Sequence, residues 1–407
     1  MNLTTYDQAI EIIEGAAKRQ KLSFEKIALE DCVGKVCYED VLSPEDVPSF
    51  NNSAMDGFLI KAEWTRNASQ TNPVYLPVHG IIAAGDDSLS ADVKAQSLPS
   101  TLEIMTGAKV PESGFDSVIK IEDVNCFYDN TGKVIKIEIS RHVLSGENMR
   151  LRGEDFKKDQ LIIKKDTKLS SEHILALAAL GVSSLCVYKR LRVAVLSTGR
   201  ELVHYSQNLH ACGIRNSTGP YLQSVFQKQG CDVKYSGFVS DDPYEFKKII
   251  HQTLDTGIDI IITTGAVSMG KYDFVARSLE ELGVKKHFHN VAIRPGKPLY
   301  FGEFSSGEVI FGVPGNPIST VVAFRFFVLP YIYHLLGLER EKPILAKNVL
   351  PFSKPHGFRC FYKAKVHFEN AEVYVQILKH QASFMVSSLL EANAWAVIPE
   401  EKNKIVN

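Results

Sequence analysis

The chain lacks a large excess of charge of either sign: 46 Lys and Arg residues are set against 47 Asp and Glu residues, a formal net charge of −1. Electrostatically driven binding to nucleic acid or a membrane surface needs a basic excess to neutralise phosphates, so neither partner is expected. The seven cysteines (Cys32, Cys37, Cys126, Cys186, Cys212, Cys231, Cys360) are scattered and never spaced CxxC. That argues against a zinc cluster or a secreted disulfide framework and fits a reducing cytoplasm. No uninterrupted apolar run is expected to span a membrane, and the N-terminal MNLTTYDQAIEIIEGAAKRQ lacks the apolar core of a signal peptide. The P-loop GxxxxGKS/T, a GxGxxG following a strand and HExxH are also missing, so triphosphatase, dinucleotide and zinc-protease chemistries lose support. His287-Phe288-His289 has no carboxylate or cysteine partner at ligand spacing and reads as strand alternation.

What is present is the composition of a globular protein, 45% hydrophobic and 23% charged over 407 residues, enough for about two to four domains. Residues 4 to 21 have the spacing of an amphipathic helix, with Thr4 or Thr5 as N-cap and Ala9, Ile10, Ile13, Ala16 and Ala17 on one stripe, a packing or dimer helix. Pro44, Pro48 and Asn51-Asn52-Ser53 interrupt regular structure before Met55-Asp56-Gly57. From Phe58 to His142 short strands alternate with turns, indicating a small all-β domain with Met105-Thr106-Gly107-Ala108 at a turn. Between 143 and 185 a helix capped at Ser170 or Ser171 runs to Leu180 and stops at Gly181. Arg150 and Arg152 beside Glu154 and Asp155 leave two readings open, an anion site or a solvated ion-pair face.

At Leu191 the texture becomes alternating strands (LRVAVLST, CDVKYSGFVS, GIDIIITTG, KPLYFGEF, VIFGVPG) and helices (217 to 229, 243 to 256, 273 to 283, 317 to 336), the pattern of a doubly wound α/β domain. Its clearest piece is IDIIITTGAVSMGKYDF, a buried strand followed by a glycine loop and a helix start. Loops at the carboxyl ends of parallel strands are where ligands bind, and glycine lets backbone N–H groups approach an anion. Polar loops at Ser197 to Glu201, Asp241-Asp242-Pro243, Gly265 to Asp273, Arg294 to Pro298 and Val313 to Pro317 would gather carboxylates (Glu201, Asp241, Asp242, Asp273) and cations (Lys271, Arg294, Lys297) if they share that edge. Mg²⁺ held by a few carboxylates and substrate oxygens offsets charge in phosphoanhydride cleavage. The residues alone therefore point to a magnesium-dependent enzyme acting on a phosphorylated small molecule.

Six segments, SAMDGF from Ser53, MTGA from Met105, STGREL from Ser197, TGAVSMG from Thr264, RPGKP from Arg294 and PGNP from Pro314, follow one another along the whole chain. In this combination the chain resembles the molybdopterin molybdenumtransferases, the molybdate-insertion enzymes of molybdenum cofactor synthesis related to the E domain of gephyrin. The resemblance implies an α/β multidomain subunit: a discontinuous base domain (1–47 and 143–185), a projecting β domain (48–142), a molybdopterin-binding α/β domain (186–336) and a C-terminal β domain (337–407). It also implies a cytoplasmic homodimer whose active-site clefts draw on both chains, with room for transient contacts to other cofactor-synthesis proteins. The implied reaction takes adenylylated molybdopterin and molybdate as substrates, with Mg²⁺ as cofactor, and releases AMP and molybdenum cofactor.

Carried onto this chain, the resemblance gives catalytic roles to Asp56, Thr106, Ser268 and Asp273. It makes Glu201, Ser268, Lys271, Arg294, Lys297, Pro298, Arg359 and Ser387 substrate-binding, and Glu201, Asp241, Asp242 and Asp273 metal ligands. A pocket of Arg294, Lys297 and Arg359 would attract the molybdate dianion. The chain departs from the common pattern at Arg200, where many members have Asp, and at Ala266, where Gly is usual; Arg294 replaces a frequent Lys and keeps its charge. Two rivals remain: the adenylyltransferase of the same pathway, similar to residues 186 to 336 alone, and a gephyrin-like scaffold without catalysis.

Overall fold

The computed structural model describes residues 3–86, 99–112, 114–265, 274–402 and 404–405. The expected loop residues Ala266, Ser268, Lys271 and Asp273 lie outside these.

Helix α1 (Tyr6–Arg19) begins at a capping box in which the Thr5 hydroxyl accepts from Gln8 N and the Gln8 side chain accepts from Thr5 N, satisfying two otherwise orphaned donors. Its buried residues are the five of the expected stripe, Ala9, Ile10, Ile13, Ala16 and Ala17. They join the main core of the α/β unit, packing with residues such as Val193, Ile262, Phe311 and Tyr331.

Strand Phe24–Ala28 pairs antiparallel with Ser184–Tyr188, and Val41–Leu42 with Leu161–Ile163. Segments far apart in sequence thus enclose one small core of Leu29, Cys32, Cys37, Ile163, Leu169, Leu177, Leu185 and Val187. Helix α2 (Ser171–Ala179) starts at a capping box between Ser170 and His173, and Gly181 follows its end at φ 70°. Between the two halves, a six-stranded sheet in the order Ser117–Lys120, Gly57–Ile60, Thr101–Ile104, Val74–Ile82, Val134–Ile139, Asn125–Tyr128 forms the β unit.

The α/β unit is a six-stranded sheet in the order Asp232–Val239, Arg192–Thr198, Ile260–Thr264, Val309–Val313, Tyr300–Glu303, Lys285–His289. The first four strands are parallel. The next two pairings are antiparallel: Tyr300–Glu303 and Val309–Val313 form a hairpin, its turn closed by Phe304 N donating to Glu308 O, and Lys285–His289 adds at the edge. Helices α3 (Thr218–Lys228), α4 (Pro243–Leu254) and α5 (Val275–Glu281) cover the sheet with α1. Strand Ile260–Thr264 is buried throughout, with Ile260 and Ile262 in one core and Ile261 in the other, as expected where both sheet faces are covered.

Helices α6 (Pro317–Ala323) and α7 (Leu329–Leu335) join through a π-helical turn, Phe324–Val328. No membrane-length apolar element is expected from sequence, yet Pro317–Leu335 reaches 19 residues with a mean hydropathy of 1.4. Its apolar window is 67% buried, so the hydropathy is that of a core helix. The C-terminal sheet is ordered Ile293–Arg294, Arg359–Glu369, Glu372–Ile377, Lys347–Asn348, with Ala394–Ile398 also pairing Arg359–Glu369. Its first strand comes from the α/β unit, so the two units are joined by backbone pairing. Phe361 stacks on Phe326 with centroids 4.2 Å apart, and Trp395 meets Phe326 at 6.0 Å.

Candidate functional site

The carboxyl ends of the central parallel strands are held in mutual contact. Thr198 Oγ1 donates to Thr264 O at 3.0 Å and Gly265 N donates to Val313 O at 3.0 Å. A Cβ on Gly265 would lie 2.6 Å from Thr198 O, and its φ of +88° is a left-handed conformation, so only glycine fits. A Cβ on Gly315 would lie 3.5 Å from Gly265 Cα, which brings the PGNP loop against the same point. Buried Asn216 donates to Ser197 Oγ and accepts from Gly219 N, both at 3.0 Å, fixing the start of α3 beside the strand end. Backbone donors at such a strand edge suit an anion.

Two carboxylates border the Thr198 to Glu201 turn. The exposed Glu201 carboxylate folds over Gly199, where a Cβ would lie 2.8 Å from Oε1. Asp241 accepts from Arg200 N at 3.3 Å, with the Arg200 guanidinium 3.9 Å away. Asp242 is engaged differently, because its Oδ1 caps α4 by accepting from Tyr244 N and Glu245 N at 2.9 Å each. Among the described residues no group of three or more His, Cys, Asp or Glu is arranged to hold a metal. Mg²⁺ usually takes one or two carboxylates and completes its shell with water and phosphate oxygens. Glu201 and Asp241 suit that pattern, with the Arg200 cation competing for Asp241.

The cationic loop meets the C-terminal sheet. Val291 N and Leu299 N both donate to Lys297 O, at 2.9 and 2.8 Å, so the backbone around exposed Lys297 is pinned. Gly296, at φ 103°, passes beside Ser319 O in the first turn of α6; a Cβ there would lie 3.6 Å from it. That turn is tied to the C-terminal unit, because Ile318 N donates to Ser383 O at 2.9 Å. Exposed Ser387 opens helix α8 (Ser387–Glu391) four residues further on. The loop bearing Lys297 and Pro298 and the segment bearing Ser387 therefore converge on the start of α6.

One cation there is absent from the residues expected on sequence grounds. Lys363 is 0% exposed, and its ammonium donates to Met385 O at 2.9 Å. Among the described residues it has no acidic partner, and burial lowers its pKa. An ammonium carries three donors, so this one is under-satisfied for its depth. A signal exists in strand period: Lys363 lies two residues from buried Phe361, on the same face.

Arg359 is not brought to Arg294. Ile293 pairs with Arg359 and Arg294 with Cys360, so alternation puts the two arginines on opposite faces of the sheet. Arg294 lies on the Tyr362 face: burial pushes the pKa of the Tyr362 hydroxyl up and the Arg294 charge opposes that rise. Arg359 faces α1 instead. It donates twice to Asp7 at 2.7 and 2.9 Å and once to Glu400 at 3.0 Å, with its guanidinium 4.5 Å from the Tyr6 ring centroid. The expected three-cation pocket of Arg294, Lys297 and Arg359 is thus not assembled.

In the β unit, Asp56 Oδ1 accepts from Thr106 N and Thr106 Oγ1, both at 2.7 Å. These two bonds hold the exposed carboxyl below its ordinary range, the backbone one leading. A Cβ on Gly57 would lie 2.0 Å from Ile119 O, so the strand pairing that places Asp56 requires glycine after it. Ser268, Lys271 and Asp273 lie outside the described residues.

The family description "MoeA N-terminal region (domain I and II)" matches residues 4–181, "Probable molybdopterin binding domain" matches 194–334, and "MoeA C-terminal region (domain IV)" matches 346–406. A molybdopterin molybdenumtransferase of Synechococcus elongatus is 34% identical over 399 residues, 98% of this chain and 96% of its own. One from Bacillus subtilis is 33% identical, covering 92% of this chain and 86% of its own. The crystal structure of a molybdopterin biosynthesis MoeA protein from Pyrococcus horikoshii superposes with a TM-score of 0.82 at 28% identity, over 99% of this chain and 96% of that one.

The Asp56 pair gives a prediction with a definite sign. Thr106→Val removes the hydroxyl donor and keeps the backbone one, so NMR titration should find the Asp56 pKa raised toward the ordinary 3.8 without exceeding it. An unchanged pKa would show that the hydroxyl contributes nothing to holding this carboxylate charged.

Proposed function

This chain belongs to the molybdopterin molybdenumtransferase family, and we propose that it inserts molybdate into adenylylated molybdopterin, cleaving the phosphoanhydride with Mg²⁺ and releasing AMP and molybdenum cofactor. It is a transferase of molybdenum cofactor biosynthesis. The observation that carries the finer reading is that the Lys297 loop and the 383–387 segment meet at the first turn of α6, and that the same segment supplies Met385 O, the one acceptor of the buried Lys363 ammonium.

Molybdate is a dianion, and a buried cation with spare donors attracts it strongly because little water screens the pair. Lys363 is the inner cation, Lys297 the outer one, and Pro298 and Ser387 line the approach. Arg294 adds positive charge from the other face of the sheet. The strand-end edge formed by Gly265, Gly315 and the start of α3 would face the pterin phosphate, and Ser268 and Lys271 are the substrate-binding residues expected from the loop that follows Gly265 in sequence. Glu201 and Asp241 would hold Mg²⁺ together with Asp273, while Asp242 fixes α4 next to them. When bound there, the metal would supply positive charge at the phosphoanhydride. Asp56 and Thr106, whose mutual bonds lie within the β unit, would reach the cleft from the partner chain. A cytoplasmic location agrees with seven free cysteines.

A homodimer, the assembly expected for this chain, would have exposed apolar side chains to cover on α2 and beside α8. Helix α2 buries only Leu177, and Leu175 is 75% exposed. Beside Ser387, Phe384 and Leu390 are 66% and 90% exposed. Light scattering at micromolar concentration should give the mass of a dimer; a monomer with full activity would contradict the shared cleft.

Activity is tested by incubating purified protein with adenylylated molybdopterin, molybdate and Mg²⁺ and measuring AMP and cofactor. Lys363→Met should leave stability unchanged or higher, since it removes a buried charge without an acidic partner. It should lower cofactor formation by about a hundredfold, as loss of one positioned donor to an anion typically does. Full activity in this variant would remove Lys363 from the site. Accumulation of adenylylated molybdopterin from molybdopterin and ATP, without molybdenum insertion, would favour the adenylyltransferase reading.

A further inference from the structure

Arg359 lies next to the cationic loop in the sheet, yet its charge is engaged elsewhere. Only 14% of its side chain is exposed, and Asp7 and Glu400 take its hydrogen bonds. Those carboxylates belong to the start of α1 and to the end of the C-terminal sheet. Backbone links connect the same place to the cationic loop. Ala292 N donates to Thr4 O at 2.8 Å, Arg359 N donates to Ala292 O at 2.9 Å, and Thr4 bridges Val291. The N-terminal segment, the strand from Arg359 and the residues leading into Arg294 and Lys297 are thus laced side by side, with the guanidinium across their ends.

We propose that Arg359, clamped by Asp7 and Glu400, is a positioning residue for the Arg294–Lys297 loop and makes no contact with molybdate. The inference rests on the reading of that loop as part of the molybdate site. The physical ground is that the guanidinium fork matches two carboxylates in fixed directions. It sets the register of Arg359–Cys360 against Ile293–Arg294, and through it the place of Lys297. Glu400 reinforces this: one of its oxygens is buried without a hydrogen-bond partner, so this carboxylate is held inside chiefly by Arg359. A residue that serves as an anion ligand would instead keep donors directed at the open cleft.

The two roles of Arg359 predict opposite responses to freeing it. Asp7→Asn with Glu400→Gln removes two negative charges and releases the guanidinium, so an electrostatic or ligand role would tighten molybdate binding. A positioning role weakens it. Calorimetry with molybdate on the full chain should show affinity lowered about tenfold in the double variant, within the range by which residues outside a site modulate it. Hydrogen exchange at the Ala292 and Arg359 amides should quicken in parallel, and Asp7→Glu, which keeps the carboxylate, should bind molybdate like the wild type. If the double variant fails to fold, Asp7→Asn alone, at a side chain 69% exposed, should still weaken binding with faster exchange at those amides. Unchanged or tighter binding overturns the clamp. Lys297→Ala serves as the reference: if it too leaves binding unchanged, the molybdate reading of the loop has failed and the clamp falls with it. If Lys297→Ala weakens binding and the carboxylate variants do not, the clamp alone is wrong.

Discussion

The arrangement depends on how the C-terminal sheet is seated against the α/β unit. Tyr6 of α1 meets Phe327 at 5.3 Å and Phe361 at 5.7 Å, while Phe326 packs on Phe361 and Trp395. Edge-to-face aromatic pairs are directional, each adding about 0.5–1.5 kcal/mol beyond area burial. The π-helical turn Phe324–Val328 places Phe326 and Phe327 for these contacts. Because strand Ile293–Arg294 already belongs to the C-terminal sheet, seating that sheet also places the cationic loop. Lys297 would otherwise sit apart from Ser387 and Lys363, both of which the C-terminal unit carries.

A protein with net charge −1 has no global field to draw in an oxyanion, so attraction has to be local. Burial supplies it. Lys363 lies in a place where ionisation is costly, and an anion arriving beside it would relieve that cost. Lys354 is a useful contrast: it is also buried, but its ammonium donates to the carbonyls of Pro355, Phe358 and Glu400 and is satisfied. The Lys363 ammonium has one such acceptor, Met385 O, where that of Lys354 has three.

Much of this is legible in sequence where one period or one spacing governs the outcome. The α1 stripe from Ala9 to Ala17, the four parallel strands (Arg192–Thr198, Asp232–Val239, Ile260–Thr264, Val309–Val313) and the glycine turn at Gly265 follow directly from apolar pattern and sheet-end chemistry. Harder to read are relations between distant segments. Arg294 and Arg359 look like one cationic pair until strand register puts them on opposite faces. Asp241 and Asp242 are adjacent in the chain, yet one faces the Arg200 turn and the other caps α4 through one carboxylate oxygen. Lys363 escapes a reading by pattern because YKAKV looks like a solvated strand, and its ammonium is met by a segment some twenty residues further on, at Met385 O.

Whether an oxyanion binds where these segments meet can be seen without reference to activity, by anomalous diffraction at the molybdenum edge from crystals soaked in molybdate. The expected peak lies within hydrogen-bonding reach of Lys363 and Lys297, near the start of α6 and Ser387, with Arg359 still bonded to Asp7 and Glu400. A peak coordinated by Arg359, or one at the strand ends beside Gly265 with the α6 site empty, would contradict it.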